Sequence, residues 1–415
     1  MRQTGRMGDM QGQDVDLDVT TIAHGGISVA RLEGRVVFVT DAIPGERVRA
    51  RITDDRKKSF WRADTVAVLE PSEHRREHVW GAASIRHDPA RRAGGAEFGH
   101  IALAHQRELK RQVLVEALQR MAHIAPEVVV EALPGDDDVD GARWRTRIRL
   151  HVDDDGRPGP YAARSHTVVD VDDLPLATLA VEEAAPLDQR FPGEEHVDVL
   201  APAEGGARLI VGKQARTTIT ERVGDREFRL DDGGFWQVHH GAASTLTEAV
   251  GTLVDPELFD PRAANLDLYG GVGLLAAAVG DRFGQATRIT SVESDSRATD
   301  HAAHNLQEWI GAQAVTGRVE RFVSDLAEHA SAGDRSRHRA ATIVLDPPRS
   351  GAGSQVVDRL ASMQSAQIVY VACDPVALAR DVALFAERGY HLEALRAFDL
   401  FPNTHHLETV VRLTR

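Results

Sequence analysis

The chain has 415 residues, 42% apolar and 27% charged, which fits a globular protein of two to three domains and excludes wholesale disorder. Its 49 basic side chains stand against 63 acidic ones, a net charge of −14 that excludes a uniformly basic nucleic-acid binder but not a local basic face. The one cysteine, Cys373, excludes an internal disulfide and any zinc site or iron–sulfur cluster held by four thiolates of a single chain.

No apolar run reaches the roughly 18 residues needed to span a bilayer, and the polar stretch Met1 to Gln13 has no apolar core, so a cytoplasmic protein without a leader or membrane anchor is expected. Residues 14–71 read as short strands at 15–22, 35–40, 47–53 and 62–70, punctuated by Gly25-Gly26, Pro44-Gly45 and Asp54-Asp55. So many short strands suggest a small OB-like barrel, a shape that often binds oligonucleotides. Residues 31–62 carry nine basic and five acidic side chains, a local basic surplus.

Residues 72–232 form a central α+β region. Residues 72–100 look irregular, with His74, His78, His87 and His100 in poor spacing for a metal. A helix is expected over 103–123 and another over 175–184, with 186–206 as loop. Strands at 143–152 and 161–170 flank the turn-rich Asp153 to Gly159 as a hairpin. In a strand over 143–152, alternation sets Arg143, Arg145, Arg147 and Arg149 on one face. Further strands are expected at 207–212, 215–220 and 226–230.

From residue 233 to 415 strand and helix patterns alternate, which implies a mostly parallel, Rossmann-like sheet covered by helices. Strands are expected at 264–269, 288–293, 318–323, 341–346, 367–372, 391–399 and 407–413. Helices are expected at 241–253, 273–281, 296–311, 354–362 and 375–388.

Four elements here carry chemistry. Leu266-Asp267-Leu268-Tyr269-Gly270-Gly271-Val272-Gly273 is a strand ending in a glycine turn, where backbone can approach a ligand closely. Glu293, at the end of the next strand, can accept bonds from a ribose diol. A nicotinamide dinucleotide and S-adenosylmethionine both suit this pair. Ile343 to Gly351 delivers Asp346 to the sheet's carboxyl edge and stiffens the loop with Pro347-Pro348, which favours a methyltransferase over a dehydrogenase. Val371-Ala372-Cys373-Asp374-Pro375 sets the lone thiol ahead of a helix whose dipole favours thiolate, against the charge of Asp374. Glu408 follows Phe401-Pro402-Asn403-Thr404-His405-His406 and can serve such a nucleophile as a base; Gln237, in Phe235-Trp236-Gln237-Val238, can bond a cofactor.

Taken in this order, these elements resemble the RNA uracil-5 methyltransferase family, which methylates tRNA or ribosomal RNA. Residues 14–71 resemble its TRAM domain in Gly25-Gly26-Ile27, Val36 to Val39 and Ile43-Pro44-Gly45-Glu46, and Arg145 to Val152 with Arg164-Ser165-His166 resembles its RNA-facing central domain. The resemblance implies a class I methyltransferase domain, with Cys373 as nucleophile and Glu408 as base. Gln237, Tyr269, Glu293 and Asp346 are implied to hold S-adenosylmethionine, Asp325 to lie near its adenine, and Phe401-Pro402 to border the uracil. It also implies a structured RNA substrate and, as expected here, a monomer.

Three departures stand out. Many relatives hold an iron–sulfur cluster with four cysteines, but Trp80 to Glu97 has none, so no cluster is expected. Gly270 stands where a cysteine is common, and Asp374 replaces the commoner asparagine. The alternatives are a methyltransferase for another base or atom of RNA, which needs no thiol, and a catalytically silent RNA-binding protein, which needs none of Cys373, Asp346 and Glu408.

Overall fold

The computed structural model describes residues 10–415; most of the polar N-terminal stretch lies outside the described residues. Strands β1 (Asp14–Ala23), β2 (Ile27–Leu32), β3 (Arg35–Thr40), β4 (Arg47–Asp54) and β5 (Phe60–Glu70) close into a barrel in the order β1-β2-β3-β5-β4. Alternate residues such as Leu17, Val37, Val39, Val48 and Ile52 fill its interior. The sequence pattern misses β2 because its inward face carries the small Ala30 and the polar Ser28. The Ser28 hydroxyl is satisfied inside the barrel, donating to the Ala42 carbonyl at 2.7 Å.

Beyond the barrel come α1 (Leu103–Ala122) and the short β6 (Val130–Glu131). The central sheet has the order β10-β9-β7-β8, from β7 (Arg147–Val152), β8 (Pro158–Gly159), β9 (His196–Leu200) and β10 (Arg208–Val211). Helix α2 (Leu179–Ala184) is shorter than expected, and β11 (Thr218–Val223) with β12 (Arg226–Asp231) forms a separate hairpin. Three expectations fail here. Strand β7 starts only at Arg147, because Arg143 has a left-handed backbone (φ 63) that no ladder accepts. The stretch 161–170 is no strand; Arg164 turns it at φ 59, leaving an isolated bridge between Tyr161 and Val168. Conversely β9, in a stretch read as loop, is the strand that both β7 and β10 pair with.

The C-terminal region contributes helices α3 (Ala242–Leu253), α4 (Leu274–Phe283), α5 (Ser296–Asn305), α6 (Val319–Glu328), α7 (Ala332–Arg339), α8 (Gly353–Met363) and α9 (Pro375–Ala386). Its strands are β13 (Asn265–Leu268), β14 (Arg288–Glu293), β15 (Gly311–Thr316), β16 (Thr342–Leu345), β17 (Gln367–Ala372), β18 (His391–Phe398) and β19 (Glu408–Thr414). They form an eight-stranded sheet, β15-β14-β13-β16-β17-β19-β18-β6, in which β19 runs antiparallel to its neighbours. Strand β6 adds to the far edge in parallel with β18, tying the segment after α1 to this sheet. Residues 318–323, expected as a strand, instead open α6: Val319 and Val323 are both buried, the four-residue spacing of a helix face. The strand lies earlier, in the small-residue stretch Gly311–Thr316 at the sheet edge, where β-propensity is weak.

Candidate active site

Register along the carboxyl edge of the sheet brings the expected residues together. Leu268 pairs with both Val292 and Leu345, so the residues one step on, Tyr269, Glu293 and Asp346, sit side by side at adjacent strand ends. Across the antiparallel pair β17–β19, Ala372 faces Thr409, and the Thr409 hydroxyl donates to the Ala372 carbonyl at 2.9 Å. One further step in that register sets Cys373 opposite Glu408.

A cleft of about 890 Å³ lies over this edge. Cys373, Glu408, Asp346, Tyr269, Glu293 and Gln237 all line it. Cys373 is half-buried, so the thiol faces the cleft rather than the core. Asp325 does not reach the cleft lining. It sits on α6 with its side chain 60% exposed, 3.8 Å from Arg321. Because the preceding strand ends at Thr316, the chain passes the cleft at Arg318, Val319 and Glu320 instead. Phe401 lines the cleft, whereas Pro402 is buried and is not part of the lining.

The glycine turn is built tightly. Tyr269 holds a left-handed backbone (φ 62), a costly conformation for a bulky residue of the kind that clusters at functional sites. A side chain at Gly270 would meet the Ser291 hydroxyl oxygen at 2.0 Å and Asp267 at 2.6 Å, so a larger residue there would have to displace one of them. The Ser291 hydroxyl donates to buried Asp267 at 2.9 Å, and burial pushes the Asp267 carboxyl up to about 6. Glu293 is oriented by N–H groups of Gly271 (3.2 Å), Ser294 (2.5 Å) and Asp295 (2.9 Å). These features fit a nucleoside cofactor: a fixed carboxylate for a ribose diol, a close-approaching turn, and apolar wall from Val272, Ala298 and Val319.

The reactive end is held from behind. Asp381, fully buried, accepts from the Tyr370 hydroxyl (2.8 Å) and the Ala352 N–H (2.7 Å), fastening the loop after Asp346 to α9. The loop that carries Phe401 is pinned to α1 by Lys110 on Asp399 and by Gln106, which accepts from the Asn403 N–H at 2.8 Å.

Electrostatics correct one expectation. The position before α9 does not yield a ready thiolate: burial, then Glu408 and Asp346, push the Cys373 thiol up to about 12. Burial and proximity to Asp267 raise Asp346 to about 7, and burial with Asp346 nearby raises Glu408 well above the usual carboxylate range. Arg349 eases both Cys373 and Glu408 by its positive charge, and its guanidinium lies 3.3 Å from His406 Nε2. Sequence reasoning noted Arg349 only as part of its motif and missed His406. Both line the cleft, and their closeness to Cys373 follows from sheet order rather than from spacing along the chain.

Comparison with known proteins follows the same lines. A family model described as tRNA (uracil-5-)-methyltransferase matches residues 208–415, and a TRAM domain model matches residues 8–60. An RNA methyltransferase of Streptomyces avermitilis is 36% identical over 97% of this chain and 98% of its own length. The 23S rRNA (uracil(1939)-C(5))-methyltransferase RlmD of Chromohalobacter salexigens is 29% identical over 96% of this chain and 89% of its own. The crystal structure of Pyrococcus abyssi tRNA (uracil-54, C5)-methyltransferase, in complex with S-adenosyl-L-homocysteine, shares the fold with a TM-score of 0.69. It is 20% identical and covers 96% of this chain and 100% of that one.

Proposed function

The chain belongs to the tRNA (uracil-5-)-methyltransferase family, and we propose that it methylates carbon 5 of a uridine in a structured RNA through a transient bond between Cys373 and the uracil ring. The observation that carries this reading is that the chain's single thiol, one step beyond the Ala372–Thr409 pair, lines one cleft with Glu408 and Asp346. S-adenosylmethionine, when bound, supplies an electrophilic methyl group. Gln237, Tyr269, Glu293 and Asp346 are the residues that would hold it.

Carbon 5 of uracil is too poor a nucleophile to attack a sulfonium methyl unaided. As the Cys373 thiol gives its proton to Asp346, leaving Glu408 ionised, its sulfur bonds to carbon 6 and the ring's electron pair moves toward oxygen 4, which makes carbon 5 nucleophilic. After carbon 5 is methylated, Glu408 removes its proton. The electrons released re-form the 5,6 double bond and expel the sulfur as thiolate.

The shifted acidities suit these roles. Holding a proton on the Asp346–Glu408 pair near neutral pH lowers the repulsion that opposes a thiolate beside them. Once ionised, a buried carboxylate of raised pKa is a stronger base than an ordinary glutamate. Arg349 offsets charge on Cys373 and Glu408 alike.

The chain is proposed to act as a monomer in the cytoplasm and without an iron–sulfur cluster; a single cysteine cannot supply four thiolates. Among the described residues no helix is long and apolar enough to cross a membrane. The test is to map 5-methyluridine by mass spectrometry in total RNA from cells with the wild-type chain, with Cys373→Ala, and with neither. Methylation at one site that needs the chain and vanishes in Cys373→Ala is the expected result. Undiminished methylation by Cys373→Ala would sink the covalent route.

A further inference from the structure

We propose that a second hollow, in the central domain beside the main cleft, receives the base of the nucleotide that adjoins the target uridine. This deepens the reading above and rests on it. The hollow measures about 350 Å³, within the usual range of small-ligand sites. Apolar side chains such as Trp80, Ile148 and Leu174 line it together with Tyr161 and His151.

Arg145 joins the two spaces, since it lines both this hollow and the main cleft. Its Nε donates to the Arg147 carbonyl at 2.9 Å, which fixes the guanidinium. Its neighbours are all spoken for: Arg143 pairs with Glu182, Arg147 with Glu221 and Arg149 with Asp198. Arg145 alone of the four has no carboxylate in ion-pair range among the described residues, although it is half-buried. Its charge is met at longer range, by the Trp144 ring 5.7 Å away and by Glu97, and an arginine stays charged. A guanidinium that lies between two cavities with no carboxylate in ion-pair range suits one phosphodiester linking two nucleosides, one in each cavity.

The hollow is also built to stack a base. The Tyr161 ring lies on His151 with centroids 3.5 Å apart and planes 8° apart, and His166 meets Tyr161 edge-on at 5.2 Å. Burial and then Arg149 lower the pKa of His151, which favours its neutral, stacking form. A preformed aromatic wall accepts any base without losing side-chain freedom. Glu97, on the same wall, can accept an N–H from a base edge.

The test uses a pentaribonucleotide with central 5-fluorouridine and adenosines on both sides, in single-abasic versions at each flanking position. The thiolate bonds to carbon 6 and carbon 5 takes the methyl group. The fluorine there cannot be removed as a proton, so a denaturant-resistant adduct persists. With the wild-type chain and S-adenosylmethionine, loss of the base at one adjacent position should slow adduct formation about tenfold, and loss at the outer positions should not. In Tyr161→Ala, and in Ser165→Trp, which fills the hollow, the intact and abasic RNAs should react at equal rates. Equal rates in the wild type, or a difference that survives both variants, would overturn the subsite and leave the uridine reading standing. Absence of adduct with every oligonucleotide would remove the subsite, and the uridine reading stands or falls separately with the 5-methyluridine map of total RNA.

Discussion

His24 Nε2 lies 2.7 Å from Asp374 Oδ2, so the turn between β1 and β2 of the barrel is bonded to the residue that follows the lone cysteine. The other Asp374 oxygen accepts from the N–H groups of Val376 (3.0 Å) and Ala377 (2.8 Å), capping α9. Asparagine would cap as well but could not form the charged pair. The bond to Asp374 raises the His24 pKa above its usual 6.5. A raised imidazole pKa stabilises the docked barrel fully below the unfolded value, and this contribution fades as pH rises through the folded one. By proton NMR, His24 should titrate above 6.5 in the wild type and return toward about 6.5 in Asp374→Asn. His24→Gln should slow methyl transfer while leaving cofactor affinity unchanged. An unshifted His24 in the wild type would remove the link.

The second prediction concerns the sulfur itself. With a single cysteine in the chain, alkylation by iodoacetamide reports on Cys373 alone. Burial and two carboxylates hold the thiol near 12, so the wild type should react slowly at pH 8 and faster as pH rises. Glu408→Gln removes one negative neighbour. The midpoint of its alkylation profile should therefore fall by about one pH unit or more. Asp346→Asn should move it the same way. A midpoint unmoved in both variants means that these carboxylates do not face the thiol.

Much of this site was legible in sequence because strand ends announce themselves. Apolar runs stop at Tyr269, Glu293, Asp346 and Cys373, and a parallel sheet necessarily gathers such ends on one edge. Glu408 was legible only through its motif, since an antiparallel final strand brings its beginning, not its end, to that edge. Asp325 came from the resemblance alone, and the structure sets it on α6, outside the cleft lining. The arginine row failed in a more instructive way: alternation said nothing about partners, and three of the four guanidiniums serve internal carboxylates. The barrel's missing strand was hidden by inward-facing Ser28 and Ala30, which burial satisfies as well as larger side chains do.

A third prediction addresses the cysteine-free stretch from Trp80 to Glu97. Here Arg92, only 3% exposed, fastens the segment to the barrel. It donates to Asp41 (2.7 Å) and to the carbonyls of Thr65 (2.8 Å) and His87 (3.0 Å). Removing one member of a buried pair leaves the other charge uncompensated, so Arg92→Ala should cost about 3–5 kcal/mol. Burial already raises the Asp41 pKa, and without Arg92 it should rise further. A carboxyl whose folded pKa is raised loses stability as pH increases, so the deficit should be larger at pH 8 than at pH 5. Urea unfolding at the two pH values measures both effects. A loss below about 1 kcal/mol would place Arg92 among ordinary surface arginines.

The last prediction separates the two acids read from sequence as cofactor ligands. Glu293 stands in the cleft with its carboxylate fixed by three backbone N–H groups, so little ordering cost remains when it accepts a ribose hydroxyl. Glu293→Ala should weaken S-adenosylhomocysteine binding by roughly 10- to 100-fold, the range for a hydrogen bond to a charged group. Asp325 lies outside the cleft lining and is mostly exposed, with Arg321 3.8 Å away, so Asp325→Ala should leave the affinity within about twofold. Isothermal titration of the two variants and the wild type decides the matter. Comparable losses in both variants would mean that α6 turns Asp325 toward the cofactor on binding, and that the cleft closes by a movement of that helix.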